Sequence, residues 1–180
     1  MATVNLNIRV EQEFGLSSPI EISHAARVFR EVSLHFEQML GKQKKWYLKG
    51  YSRKQALQHK VFIDGIKVPK EILSKWEKRY QKNYPFFGEG IWDGEVDDSS
   101  AGIDLTSSYS SSNRRNNPLS LVIEFPVSFL NTKLSSDRMI DFIQHLLILN
   151  ENCTYLNVES GGHSFPEIIP KKNGYDEVYK

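Results

Sequence analysis

The sequence predicts an α+β fold, a mostly antiparallel sheet with helices packed on one face. Two observations lead to this prediction. Apolar residues alternate with polar ones near the start of the chain and in three runs between residues 86 and 125, which is the pattern of half-buried strands. Apolar residues recur at helical spacing in other segments, and strands and helices do not alternate regularly. This order is typical of helices segregated to one face of an antiparallel sheet.

The first half of the chain is predicted to form one strand and a set of helices. Residues 4–10 alternate between apolar and polar side chains and form the opening strand. A long amphipathic helix follows and ends at Gly41, a residue type that favours helix C-termini. Residues 46–50 are predicted as a short strand. Ser52 and Gln55 then have the spacing of a capping box, which opens a short helix.

The second half begins with a further helix that opens at Pro69. The segment after it is predicted to form an antiparallel meander of three strands separated by turn-rich stretches. Trp92, which glycines flank in the first of these strands, is predicted to be a packed core anchor. The last helix is expected to be capped by Ser135 or Ser136, and residues 155–159 form the strand that follows it.

Composition predicts one globular domain. A chain of 180 residues with 39% hydrophobic and 25% charged residues is long and apolar enough to bury a core. We expect a single domain over residues 1–180, in which residues 161–180 form a terminal hairpin or a tail. The single cysteine, Cys153, cannot form an internal disulfide. No apolar stretch approaches the roughly 18 residues of a membrane span, so a cytoplasmic protein is expected.

No catalytic or metal-binding motif stands out. The five histidines form no HExxH pair, and the glycine-rich signatures of hydrolases, P-loops and dinucleotide-binding folds are absent. His163 follows two glycines and is the histidine with the most unusual setting, whereas Cys153 is expected to be a buried thiol. An EF-hand beginning at Asp93 would need Gly and Glu where Asp98 and Asp104 stand. We therefore expect no enzymatic activity, no cofactor and no metal.

Charge is distributed unevenly along the chain, although the net charge is only +1. The basic segment, residues 42–82, carries 13 basic and 3 acidic side chains. Its cations are interleaved with Trp46, Tyr47 and Tyr51, and such a mixture can hold phosphates while it stacks bases. Alternatively, the lysines cover the outer surfaces of helices while Trp46 and Trp76 fill the core. A nucleic-acid-binding module over residues 42–82 thus stays an alternative function.

The acidic segment, residues 83–113, carries six acidic side chains and no basic one. Such a segment repels nucleic acid and attracts a protein with a basic working surface, such as a nuclease. Exposed aromatic residues would supply the buried anchors of such an interface, with Tyr109 and Phe87 as candidates. The alternative is an acidic loop that keeps the chain soluble. The predicted partner-binding residues are Glu89, Asp93, Glu95, Asp97, Asp98, Asp104 and Tyr109.

Short aromatic and glycine motifs carry a resemblance to a known family. They are Trp46-Tyr47-Leu48-Lys49-Gly50, Ala56-Leu57, Phe62, Gly90-Ile91-Trp92-Asp93-Gly94 and Ala101-Gly102-Ile103-Asp104-Leu105. In their order along the chain, these motifs resemble the immunity protein 52 family. The resemblance extends over residues 4–160, and in the tail it is confined to Phe165 and Pro166.

The resemblance implies an α+β antidote that binds and neutralises a cognate bacterial toxin. It implies that the toxin is a nuclease effector of the restriction-endonuclease fold, delivered by type VI or contact-dependent secretion. The expected partner is therefore a toxin protein, with no membrane partner and with nucleic acid disfavoured. The family's motifs include no toxin-binding signature, so the resemblance assigns no interface residues.

Overall fold

The computed structural model describes residues 5–12, 19–50, 52–65, 67–96, 99–109, 119–131, 133–149, 155–160, 163–164, 167–171 and 174–178. The strands are β1 (Asn5–Gln12), β2 (Tyr47–Leu48), β3 (Phe86–Trp92), β4 (Gly102–Ser108), β5 (Leu119–Pro126), β6 (Tyr155–Ser160), β7 (His163–Ser164), β8 (Glu167–Lys171) and β9 (Gly174–Val178). The helices are α1 (Ile22–Leu40), α2 (Arg53–Ala56), α3 (Lys70–Asn83) and α4 (Lys133–Leu149), and residues Val127–Leu130 form a 3-10 turn.

The described strands form one sheet in the order β2-β3-β4-β5-β1-β6-β8-β9, with β7 paired to β6. Every pairing between these strands is antiparallel. The strand that comes first in the sequence, β1, lies between β5 and β6 and joins the meander to the C-terminal strands. The predicted α+β fold with a mostly antiparallel sheet is confirmed.

The long helices lie on one face of the sheet. Phe36 of α1 occupies the centre of this core, with ring centroids 5.2 Å from Phe125 of β5 and 5.8 Å from Phe142 of α4. Two turns earlier on the same side of α1, Phe29 packs on Trp76 of α3 at 5.3 Å. The apolar residues of β1, β3, β4 and β5 that point toward these helices are buried at alternate positions. Because the strands are in register, these residues form one continuous core.

The opposite face of the sheet, called the open face below, carries the alternate residues of the same strands. These residues are polar or small in β1, β4 and β5, and they are half-buried or exposed for the most part. The alternation arises because successive side chains of a strand point to opposite faces. The open face is therefore the more polar face of the sheet.

Several local predictions are confirmed. Gly41 ends α1 with φ of 65°, and Ser52 Oγ accepts a hydrogen bond from the Gln55 backbone N–H at 3.4 Å. Pro69 stands at the start of α3. The last helix, in contrast, begins at Lys133, before the predicted serine cap.

The C-terminal segment contains the predicted hairpin. Strands β8 and β9 pair from Glu167 with Val178 to Lys171 with Gly174. His163 lies in β7, and Cys153 lies outside the described residues. Within the described part of the chain, no helix is both long and apolar enough to cross a bilayer.

Candidate partner-binding groove

A groove of 640 Å³ opens on the open face near the β2 edge of the sheet. Its origin lies in the strand register, which places Gly102 of β4 between Trp92 of β3 and Glu124 of β5. Neighbouring strands lie roughly 4.8 Å apart, so a glycine in the middle strand leaves a gap between the two flanking side chains. The groove falls within the volume range of about 300 to 1,000 Å³ that is common for ligand sites.

Residues from four parts of the chain complete the groove. Asn5 of β1 extends the wall formed by Glu124, because its Nδ2 donates a hydrogen bond to Glu124 Oε1 at 2.9 Å. The short helix α2 and the loop before β4 form the opposite side. The lining residues are Asn5, Lys49, Gly50, Ser52, Arg53, Ala56, Trp92, Glu95, Val96, Ser100, Ala101, Gly102 and Glu124.

The turn after β3 depends on Gly94. Its φ is +80°, a left-handed conformation that favours glycine, and a Cβ built there would lie 2.7 Å from the ring of Tyr47. Arg53 Nη2 donates a hydrogen bond to the carbonyl oxygen of Gly94 at 3.0 Å. The turn thus brings α2 against the end of β3 and fixes one wall of the groove.

Gly90 makes room for an ion pair beside the groove. Lys49 Nζ lies 2.5 Å from Asp104 Oδ2, and a Cβ at Gly90 would lie 2.2 Å from Asp104 Oδ1. The Lys49 side chain continues over Gly102, whose built Cβ would lie 3.1 Å from Nζ. Both glycines are therefore explained by close approach of the Lys49 side chain.

The prediction that Trp92 is a core anchor is wrong. Alternate residues of β3 point to the open face, and Trp92 is one of them. Its side chain is half-buried on the groove wall. Its ring centroid lies 6.5 Å from that of Tyr47, the residue opposite it in β2. Its Nε1 is buried and has no hydrogen-bond partner. The glycines that flank Trp92 therefore accompany a position on the open face and not a position in the core.

The acidic segment does not form the continuous exposed surface that its sequence predicted. Glu89 points to the helical face, is 7% exposed, and its Oε2 accepts a hydrogen bond from Arg79 Nη1 at 2.7 Å. Burial raises the pKa of Glu89, and Arg79 opposes this shift. Asp93 is 5% exposed, and its Oδ2 accepts a hydrogen bond from Lys44 Nζ at 2.6 Å. Both carboxylates are covered and are engaged in ion pairs within the fold.

The other predicted partner-binding residues are distributed over the open face and its edges. Glu95 is exposed on the groove rim, and Asp104 is half-buried beside the groove. Tyr109 lies beyond the far end of β4, where its backbone N–H donates to the Pro85 carbonyl oxygen at 3.3 Å. Asp97 and Asp98 lie outside the described residues.

Phe87, the second aromatic candidate, is 1% exposed and belongs to the core, so its prediction as an exposed anchor is wrong. The exposed aromatic residues at that end of the sheet are Tyr84 and Phe86.

The basic and acidic segments pair with each other in space. Three ion pairs join them: Lys44 with Asp93, Lys49 with Asp104, and Arg79 with Glu89. Two of the acidic partners have nearly covered side chains, at 0% and 4% exposure. The charge separation along the chain is therefore partly cancelled in the fold.

Two of the three aromatic residues of the alternative nucleic-acid site are engaged within the fold, and the third, Tyr51, lies outside the described residues. Trp46 and Trp76 are buried in the core, and Trp46 Nε1 donates a hydrogen bond to Glu37 Oε1 at 2.8 Å. Tyr47 packs between the Gly94 turn and Trp92. These rings are engaged within the fold and are not displayed for base stacking.

Among the described residues, no group of three or more His, Cys, Asp or Glu side chains could hold a metal ion. No family model matches the sequence, and no curated protein matches it either.

The motif residues that carry the resemblance divide between the groove and the core. Six of the eighteen line the groove, namely Lys49, Gly50, Ala56, Trp92, Ala101 and Gly102, whereas Trp46, Leu48, Phe62, Ile91, Ile103 and Leu105 are buried in the core. Asn5, Arg53 and Glu124 belong to the same groove and were not predicted as site residues. A glycine within a strand is a sequence signal of close approach, and Gly102 carried that signal.

Proposed function

We propose that this chain is an immunity protein that binds and neutralises a cognate bacterial toxin, and that the groove is part of its toxin-binding surface. In line with the resemblance, the toxin is a nuclease effector of the restriction-endonuclease fold. The proposed partner is thus a protein with a basic working surface.

The observation that supports this proposal best is the position of three motif residues around one groove. Lys49, Trp92 and Gly102 come from three separate motifs and lie on the open face around a cleft. A half-buried tryptophan on the wall of a concave site is a common anchor of protein interfaces. Core packing does not account for the position of these three residues.

The exposed carboxylates suit a role in approach more than in affinity. Glu95 lies on the groove rim, and exposed rim charges act chiefly on association rate and on its salt dependence. Buried anchors in the groove would supply most of the binding energy. The exposed carboxylates of the acidic segment thus steer the approach of the toxin, and Trp92 lies at the centre of the interface.

Co-expression tests the proposed function. The first step is to sequence the gene immediately upstream of this chain; a nuclease-like C-terminal domain encoded there would then be induced in a bacterial host, with and without this chain. We expect growth arrest by that domain alone, recovery when this chain is present, and copurification of the two proteins. Arrest that this chain does not relieve would contradict the proposal. Salt-sensitive binding of the free chain to DNA would favour the nucleic-acid alternative.

A further inference from the structure

We infer that the groove binds an uncharged segment of the toxin, whose amide groups pair with Trp92 Nε1 and Asn5 Oδ1. This inference rests on the proposed function and names the chemistry of the toxin segment. Its occupant is a stretch of polypeptide, because a peptide group or a carboxamide offers one donor and one acceptor together.

The first support is a pair of unsatisfied polar atoms in residues that line one groove. Trp92 Nε1 is a buried donor and Asn5 Oδ1 is a buried acceptor, and neither has a hydrogen-bond partner. A buried polar group without a partner loses its hydrogen bonds to water and gains none within the protein, which costs free energy. A carbonyl oxygen that accepts from the indole N–H and an N–H that donates to the Asn5 oxygen would remove both costs.

The second support is the charge balance of the groove. Among the described lining residues are two cations, Lys49 and Arg53, and two anions, Glu95 and Glu124, and Lys49 is also paired with Asp104 beside the groove. A phosphate or carboxylate would meet the two glutamates, and a lysine or arginine would meet the two cations. An uncharged polar segment avoids both conflicts.

Access to the two atoms requires movement of the groove wall. Both unsatisfied atoms are covered in the free chain, so a bound segment reaches them only after side chains change rotamer. Such rotamer changes are common at protein interfaces. Binding should therefore change the environment of the Trp92 indole directly.

The test is a titration of ¹⁵N-labelled chain with the toxin domain, followed through the indole N–H resonances. We expect the Trp92 signal to move downfield as its N–H gains an acceptor, whereas the signal of Trp76 stays in place. Trp76 is the matched internal control, because its Nε1 is also buried without a partner but lies in the core.

Calorimetry with two variants extends the test. Trp92→Phe keeps an aromatic ring and removes the N–H, and we expect it to weaken toxin binding about tenfold. Trp76→Phe removes an equivalent N–H from the core and should leave the affinity within about twofold. If Trp92→Phe fails to fold, the shift of the Trp92 indole resonance in the wild-type chain still tests the inference.

Three results would overturn the inference. The first is toxin binding with an unmoved Trp92 resonance and unchanged affinity in Trp92→Phe. The second is a larger effect of Arg53→Gln or Glu95→Gln than of Trp92→Phe, which would indicate a charged occupant. The third is a dimer of the free chain that occupies the groove with a second copy. Absence of any toxin binding would instead contradict the proposed function itself, and this inference would fall with it.

Discussion

Lys44 and Asp93 form a buried ion pair that joins the basic segment to the acidic segment. Lys44 Nζ lies 2.6 Å from Asp93 Oδ2, and the two side chains are 8% and 0% exposed. The same ammonium group lies 4.7 Å from the ring centroid of Phe129. The antiparallel pairing of β2 with β3, which brings Tyr47 opposite Trp92, places these two segments side by side.

Asp93→Asn should destabilise the fold strongly. The variant keeps the side-chain shape and leaves Lys44 as a buried cation without its counterion. Removal of one partner from a buried ion pair costs roughly 3 to 5 kcal/mol. We expect a loss of this size in the free energy of unfolding measured in urea.

Asp104→Asn is the matched control for this experiment. Asp104 pairs with Lys49 across the same two segments, but the two side chains are 36% and 41% exposed. Exposed pairs contribute below about 1 kcal/mol. Equal losses in the two variants would contradict the structural role of the buried pair.

Glu89→Gln should stabilise the chain at neutral pH. Burial raises the pKa of Glu89 above its ordinary value, although Arg79 opposes the shift. The folded state therefore binds the proton more tightly than the unfolded state, and stability falls as pH rises from the ordinary pKa through the raised one. Gln lacks this ionisation, so its advantage should be largest above the raised pKa of Glu89 and should disappear below the ordinary glutamate pKa. Thermal unfolding of wild type and Glu89→Gln, measured from acidic to mildly alkaline pH, tests this prediction. A variant that is less stable at neutral pH, by a margin that shrinks on acidification, would show that the Arg79 pair outweighs burial.

Gly94→Ala should cost more stability than Gly65→Ala. Both glycines have positive φ, +80° and +68°, so both substitutions carry the strain of a left-handed residue, on the order of 1 kcal/mol. A Cβ at Gly94 would lie 2.7 Å from the Tyr47 ring, whereas nothing lies within 4 Å of a Cβ at Gly65. The difference between the two free energies of unfolding therefore measures the contact with Tyr47. Equal costs would indicate that Tyr47 moves aside freely.

Trp76→Ala should destabilise the fold far more than Trp92→Ala. Trp76 is 0% exposed and packs on Phe29, so its truncation should cost roughly 3 to 5 kcal/mol. Trp92 is half-buried on a groove wall, so its truncation removes less buried surface and opens no closed cavity. Urea denaturation of the two variants gives the comparison. A larger loss for Trp92→Ala would restore Trp92 as a core anchor.

The fold was more predictable than the site, for a physical reason. Periodicity, turn-rich stretches and capping-box spacing are local properties of a sequence, and they predicted α1, the meander and the capping residue Ser52. Strand order depends on long-range pairing, and no local signal placed β1 between β5 and β6. The same limit explains the errors at the site. Lys44 and Asp93 are far apart in the sequence, so no local pattern predicted their ion pair. The pairing of β2 with β3 brings them together in the fold.

The face on which Trp92 lies was also open to two interpretations from the sequence. In the strand Phe86–Trp92, period 2 places Phe87, Glu89 and Ile91 on one face and Trp92 on the other. Glu89 makes the face of Phe87 and Ile91 look like a solvent-exposed face in the sequence. Its partner Arg79 lies in α3, so the sequence of β3 does not show that the carboxylate is paired. A buried ion pair therefore concealed which face of β3 is the core.

Growth protection by a groove-filling variant tests the central claim most directly. Gly102→Val adds a side chain to the groove floor, where the nearest atoms to a Cβ are the flexible end of Lys49. Gly88→Val is the control, because Gly88 lies on the same open face outside the groove and its nearest neighbour is the Phe86 ring. The melting temperatures of both variants are first measured against wild type. Both variants are then compared with wild type in cells that express the toxin domain. We expect protection by wild type and Gly88→Val and its loss in Gly102→Val. Equal protection by all three would contradict the groove as the toxin-binding site.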